Sequence, residues 1–199
     1  MPHIALPGDL PGISSAMAFR PETAKPLREL AEVLLRGPNS LTSAERESIA
    51  AFVSSRNDCT FCHLSHRAAA AHHANGNYAY VDAVTRGGVS PAVSPKMQAL
   101  LAIAGQVQRG GKQVTEDDIA RARAEGATDI EIHDTVLIAA AFCMYNRYVD
   151  GLATVTPTDP ALYDPMGQRM AKQGYVGIST AQRQTEVGSA SPEAGTKVG

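Results

Sequence analysis

Positive charge is in short supply in this chain. Its 18 Lys and Arg stand against 20 Asp and Glu, a net charge of −2, so there is no basic excess to draw nucleic acid, and none is expected as a partner. Long apolar runs are missing as well. The longest, Val136 to Met144, falls well short of the ~20 residues a membrane-spanning helix needs, which predicts no membrane association. Cysteine is scarce: there are three, two of them in one Cys-x-x-Cys, not the framework of a secreted disulfide-bonded domain. The opening residues, Met1-Pro-His-Ile-Ala-Leu-Pro-Gly-Asp9, carry neither a positive n-region nor an apolar h-region, so no export signal is expected. These absences together predict a cytoplasmic protein whose thiols serve catalysis or metal binding rather than cross-linking. Convincing strand runs and fixed-period repeats are lacking too, which leaves an all-α fold.

What is present suits one domain with tails, since 199 residues can bury a real core. Residues 1–20, broken by Pro2, Pro7, Gly8, Pro11 and Gly12, predict an irregular arm. Residues 21–155 predict the helical domain. Pro21–Arg36 carries Leu27, Leu30 and Leu34 on one face and stops at Gly37-Pro38. Thr42 with Glu45, Thr115 with Asp118 and Thr128 with Glu131 are capping boxes that start three further helices. The centre of the last, Val136 to Met144, is apolar all round and is expected in a core. The four alanines 68–71 permit close helix approach. Residues 156–199 predict an extension, with one more helix between Pro160 and Gly174 and a polar tail from Ser179 that is disordered or packed on a partner.

The chain is organised around Glu47 to His66, which ends Asn57-Asp-Cys59-Thr-Phe-Cys62-His63-Leu-Ser-His66. With Asn57 or Asp58 as the cap of a new helix, successive residues turn by about 100°, so Cys62 and His66 fall roughly 60° and 20° from Cys59. Two thiols and an imidazole then share a stripe, and the first thiol meets the free N–H groups and dipole of the opening turn, where a thiolate is favoured. Glu47, on the preceding helix, reaches His66 if the two helices pack antiparallel. That set has the parts of peroxide reduction: a nucleophilic thiol, a base for its proton, a residue to orient the base and a second thiol to resolve the sulfenic acid.

Other chemistries meet obstacles. A thioredoxin-like pair needs a βαβ context. Zinc needs four converging ligands, and Cys59, Cys62, His63 and His66 lie too close on one helix for all to reach one ion, although two cysteines with remote groups remain open. Cys-Thr-Phe-Cys-His is also literally the c-type haem attachment pattern, but that chemistry belongs to exported proteins. Neither metal nor cofactor is expected.

The pattern E-x11-C-x2-C-x3-H on an all-helical chain resembles the AhpD-like alkylhydroperoxidase branch of the carboxymuconolactone decarboxylase superfamily. Ser54-Ser-Arg-Asn-Asp-Cys-Thr-Phe-Cys62 and Phe142-Cys-Met-Tyr-Asn-Arg-Tyr-Val-Asp-Gly151 resemble its peroxidase-related subgroup. The resemblance implies an AhpD-like helical bundle with the Cys-x-x-Cys at the N-terminus of a central helix. It implies that Cys62 attacks peroxide, Cys59 resolves, and His66 with Glu47 relays protons. It further implies a lipoyl or thioredoxin-like reductant and a homo-oligomer, from dimer through trimer to hexamer. One departure is Phe61, where the alkylhydroperoxidase pattern has a histidine; His63 is the candidate substitute. The alternatives are a non-redox decarboxylase-like enzyme, a zinc-binding or structural protein, and a redox sensor. Cys143 reads as a buried small hydrophobe, His72 and His73 as helix-end residues, His133 as a surface group, and Asn146 as either a core terminus or a site-lining residue.

Overall fold

The computed structural model describes residues 1–7, 10–87 and 90–177. Among them the chain forms nine α-helices: α1 (Ile13–Phe19), α2 (Pro21–Arg36), α3 (Ser43–Arg56), α4 (Thr60–His73), α5 (Tyr78–Thr85), α6 (Pro95–Arg109), α7 (Glu116–Ala124), α8 (Asp129–Gly151) and α9 (Tyr163–Gln173). No strand occurs among the described residues, and the fold is all-α. Local chemistry starts these helices where the sequence predicts. At Thr42, Thr115 and Thr128 the hydroxyl accepts the N3 amide, while the N3 carboxylate accepts the amide of the cap. Glu131, buried at its box, also accepts from Lys96 Nζ at 2.7 Å and Ser40 Oγ at 2.9 Å. A buried carboxylate is tolerable only when so many donors meet it.

The main core lies where α3, α6 and α8 pack together, with Ile49, Val53, Leu100, Ile103, Ile138 and Phe142 excluded from solvent. Helices α3 and α4 form a hairpin joined by Asn57–Cys59. Glu47 meets His66 and the Ala51 carbonyl meets His63, so residue numbers fall on one helix as they rise on the other, and the pair is antiparallel. Against the far side of α4 lies α9, and the alanines permit the approach. Gly167 seats on Ala68 so closely that a Cβ would overlap the Ala68 side chain and backbone. A second apolar cluster of Cys59, Phe61, Cys62, Ala68, Val149 and Tyr163 fills the space between α4, α8 and α9.

Three expectations need correction. The N-terminal arm is not wholly irregular: Ile13–Phe19 is helical, with Ala16 and Met17 buried. The arm is tied to its own chain by the Gly12 amide to Val155 O at 2.8 Å and the His3 amide to Leu152 O at 3.0 Å. Seven residues are too few for a period to emerge from the surrounding Pro and Gly. Next, the centre of α8 is not buried all round. Leu137, Ala140 and Met144, spaced three and four apart and therefore on one face, are exposed. Finally, neither Asn57 nor Asp58 caps α4. Asn57 ends α3, Asp58 takes a left-handed turn at φ 56°, and Cys59 itself is the N-cap. The extension from Pro160 forms α9 as expected, while the polar tail from Ser179 lies outside the described residues.

Candidate active site

Because Cys59 is the cap, the thiols do not both ride on the helix. Cys59 is extended (φ −84°, ψ 90°) and fully buried, whereas Cys62 is the third residue of α4 and 3% exposed. Both are free thiols. The stripe on α4 is thus Cys62 and His66, one turn apart, with Cys59 tucked behind Cys62 at the helix start. Cys62 and His66 both face a cavity of about 100 Å³. Its walls also include Phe61, Met166, Phe142 and Tyr175, and Cys59 takes no part in the lining.

Glu47 does not lie on a solvated face. It has no exposed surface, and its carboxylate is shared by two partners. Oε2 lies 2.7 Å from His66 Nδ1, and Oε1 accepts from Tyr175 Oη at 2.5 Å. An ionised carboxylate only accepts, so this arrangement assigns the Nδ1 proton to His66 and leaves Nε2 as the ring nitrogen able to take or give a proton. The imidazole is clamped as well. Phe142 meets it edge-on at 4.5 Å between centroids, and Tyr175 stacks over it at 6.2 Å with the rings 14° apart. The structure therefore joins Glu47 to His66 and sets His66 beside Cys62 on the cavity.

A chain of side-chain hydrogen bonds leads from Gln108 on α6 to Asn146 on α8, beside the thiol pair. Gln108 Nε2 donates to Asn57 Oδ1 at 2.9 Å, Asn57 Nδ2 to Asn146 Oδ1 at 2.8 Å, and Asn146 Nδ2 to Ser54 Oγ at 3.0 Å. Asn146 also bears on Cys62 and favours its thiolate. Stronger influences oppose it. The hydrogen bond with Cys59 comes first, then burial, then the Cys59 charge, and together they push the Cys62 thiol well above the ordinary range. Two adjacent buried sulfurs resist carrying two charges at once.

The remaining candidates separate from the site. His63 Nδ1 meets the Ala51 carbonyl at 3.1 Å, and burial lowers its pKa; it stands away from the cavity that Cys62 faces. His72 Nε2 reaches Asp164 at 3.0 Å and links α4 to α9. His133 pairs with Asp134 at the surface, 2.8 Å away. Cys143 is half-buried, and its sulfur accepts from Asn57 Nδ2 at 3.5 Å. Among the described residues no three His, Cys, Asp or Glu side chains gather as metal ligands, and no helix is long and apolar enough to cross a membrane. Sequence reasoning missed Tyr175 altogether and saw Asn57 only as a helix cap.

This all-α bundle carries a buried Glu–His pair beside a Cys-x-x-Cys, and known structures share its fold. A crystal structure of an uncharacterized peroxidase-related protein from Silicibacter sp. TM1040 matches with a TM-score of 0.69 and 26% identity over 77% of this chain and 78% of that one. Another, an uncharacterized peroxidase-related protein from Ralstonia eutropha JMP134 described as an alkylhydroperoxidase AhpD core, matches with a TM-score of 0.70 and 26% identity over 80% and 82%. No protein-family model and no curated protein matches the sequence. The fold is the AhpD core fold, and the chain is similar to peroxidase-related proteins that share it.

The amide chain makes a testable claim about Cys62. Replacing Asn146 by Ala removes the influence that favours the thiolate, so the midpoint of iodoacetamide alkylation at Cys62 moves to higher pH. Peptide-resolved alkylation rates across pH check this; an unmoved midpoint would show that Asn146 holds the backbone and not the sulfur.

Proposed function

We propose that this protein is a thiol-dependent peroxidase that reduces small hydroperoxides and cycles Cys59 and Cys62 between dithiol and disulfide. The observation that carries the reading is the convergence on one cavity of Cys62 and a His66 whose Nδ1 is engaged by a buried Glu47. As His66 Nε2 takes the Cys62 proton, the sulfur attacks the terminal peroxide oxygen and the O–O bond breaks. Cys62 becomes a sulfenic acid, and the departing alkoxide leaves as an alcohol with the proton returned by His66. Cys59 then attacks the Cys62 sulfur, forming the disulfide and releasing water. A dithiol reductant of the lipoyl or thioredoxin-like kind restores both thiols by exchange.

Cys62 is assigned the attack because it faces the cavity, while Cys59 is sealed behind it. The cavity of about 100 Å³ has room for hydrogen peroxide or a short alkyl hydroperoxide beside Cys62. Two free thiols this close suit a reducing compartment such as the cytoplasm. Further, the exposed apolar ridge of Leu137, Ala140 and Met144 on α8 supports a homo-oligomer in which a second copy covers it.

Single-cysteine variants test the chemistry. With one equivalent of tert-butyl hydroperoxide, Cys59→Ser is expected to stop at a dimedone-reactive sulfenic acid on Cys62, and Cys62→Ser to leave Cys59 reduced. The reverse pattern would exchange the two roles, and no oxidation in either would end the peroxidase reading. The oligomer has its own test. Met144→Glu places a charge in the ridge and should lower the sedimentation mass to that of a single chain; a wild-type chain that already sediments as a monomer would exclude the interface.

A further inference from the structure

Tyr175 is the member of the site that no motif announces. It follows α9 and reaches back to a carboxylate on α3, 128 residues earlier in the chain. Its placement is secured independently of the ring. The Tyr175 amide donates to Glu32 Oε2 at 2.6 Å, and Arg36 Nη1 donates to the Ala171 carbonyl at 2.6 Å. Between these anchors Gly174 sits at φ 71°, and a Cβ there would strike the Glu32 carboxylate and the Arg36 guanidinium. Glycine is therefore required for the chain to turn inward at this point.

We propose that Tyr175 is a positioning residue for the proton relay, its hydroxyl fixing the buried Glu47 carboxylate so that His66 keeps its proton on Nδ1 and presents Nε2 to Cys62. This rests on the peroxidase reading above and adds a residue to it. Glu47 has two oxygens and both are committed, one to His66 and one to Tyr175. Without the hydroxyl, the buried carboxylate would hold a single partner and could rotate away from the imidazole. The phenol acts as a donor and not as a base. Burial raises its pKa well above the ordinary tyrosine value, and the Glu47 charge raises it further. The other charged groups bearing on it are Arg36, which opposes the shift, and Glu32, which adds to it. The stacked ring gives the same residue a second hold on His66.

The test uses the full-length, pre-reduced protein and tert-butyl hydroperoxide, with thiol loss followed in stopped flow. Tyr175→Phe keeps the ring and removes the hydroxyl. It is expected to lower the limiting rate about tenfold, the scale of one hydrogen bond to a charged group, with the half-saturating hydroperoxide concentration changed less than about twofold. The downfield proton resonance of His66 Nδ1–H should move in the same variant, which loss of packing alone would not cause. Glu32→Ala, which releases the Tyr175 amide, should slow oxidation in the same direction and decides the matter if Tyr175→Phe does not fold. A Tyr175→Phe protein with the wild-type rate and an unmoved resonance would reduce Tyr175 to a space-filling ring. If the wild-type thiols do not react with hydroperoxide, the peroxidase reading fails, and the His66 resonance alone then judges the Tyr175 proposal.

Discussion

A carboxylate with no access to water is the constraint on which the site depends. An unpaired buried charge is costly enough that a protein must neutralise it or surround it with donors. Glu47 is surrounded, by His66 on one oxygen and Tyr175 on the other. Its two partners come from different parts of the chain, and each is thereby fixed. The His66 tautomer follows from which of its nitrogens meets Glu47, and the availability of Nε2 follows from the tautomer. The packing of α3 against α4 keeps that bond short, so the chemistry of Cys62 is tied to the most tightly built hairpin in the fold.

Around this pair α1 and α9 wall the cavity. Ile13 and Met17 of α1 form one wall, and Met166 and Met170 of α9 form another. Methionine suits such walls because its thioether is flexible and polarizable, and can yield to a small ligand without leaving a void. The thiols are consequently shielded from bulk water while one of them remains reachable. In the proposed cycle, a sheltered Cys62 with Cys59 beside it favours resolution to the disulfide over the further steps to sulfinic and sulfonic acid.

Much of this could be read from the sequence where the determinants are local. The capping boxes at Thr42, Thr115 and Thr128 depend on residues three apart, and all three form. The relation of Cys62 to His66 is one helical turn and needed no tertiary knowledge. Glu47 lies off the main apolar stripe of its helix, and only the antiparallel hairpin explains why it is buried. The start of α4 was misplaced by a residue or two because Asn57 and Asp58 are excellent caps in isolation. In the fold, Asn57 is instead drawn into the amide chain with Gln108 and Asn146, and Asp58 takes the left-handed turn that brings α4 back along α3. Likewise, apolar composition could not say which face of α8 is uncovered. Tyr175 was invisible for the plainest reason: its contact with Glu47 spans most of the chain and leaves no period or spacing to find.

The measurement that bears most directly on the Glu47–His66–Cys62 relay is the rate of Cys62 oxidation by hydroperoxide in Glu47→Gln. The substitution preserves shape and hydrogen-bonding size while removing the charge that orients His66. Oxidation should slow by about 10²-fold, the lower range of positioned acid–base catalysis, with the helical fold retained. A folded Glu47→Gln protein oxidised at the wild-type rate would contradict the relay and leave the buried carboxylate with a purely architectural role.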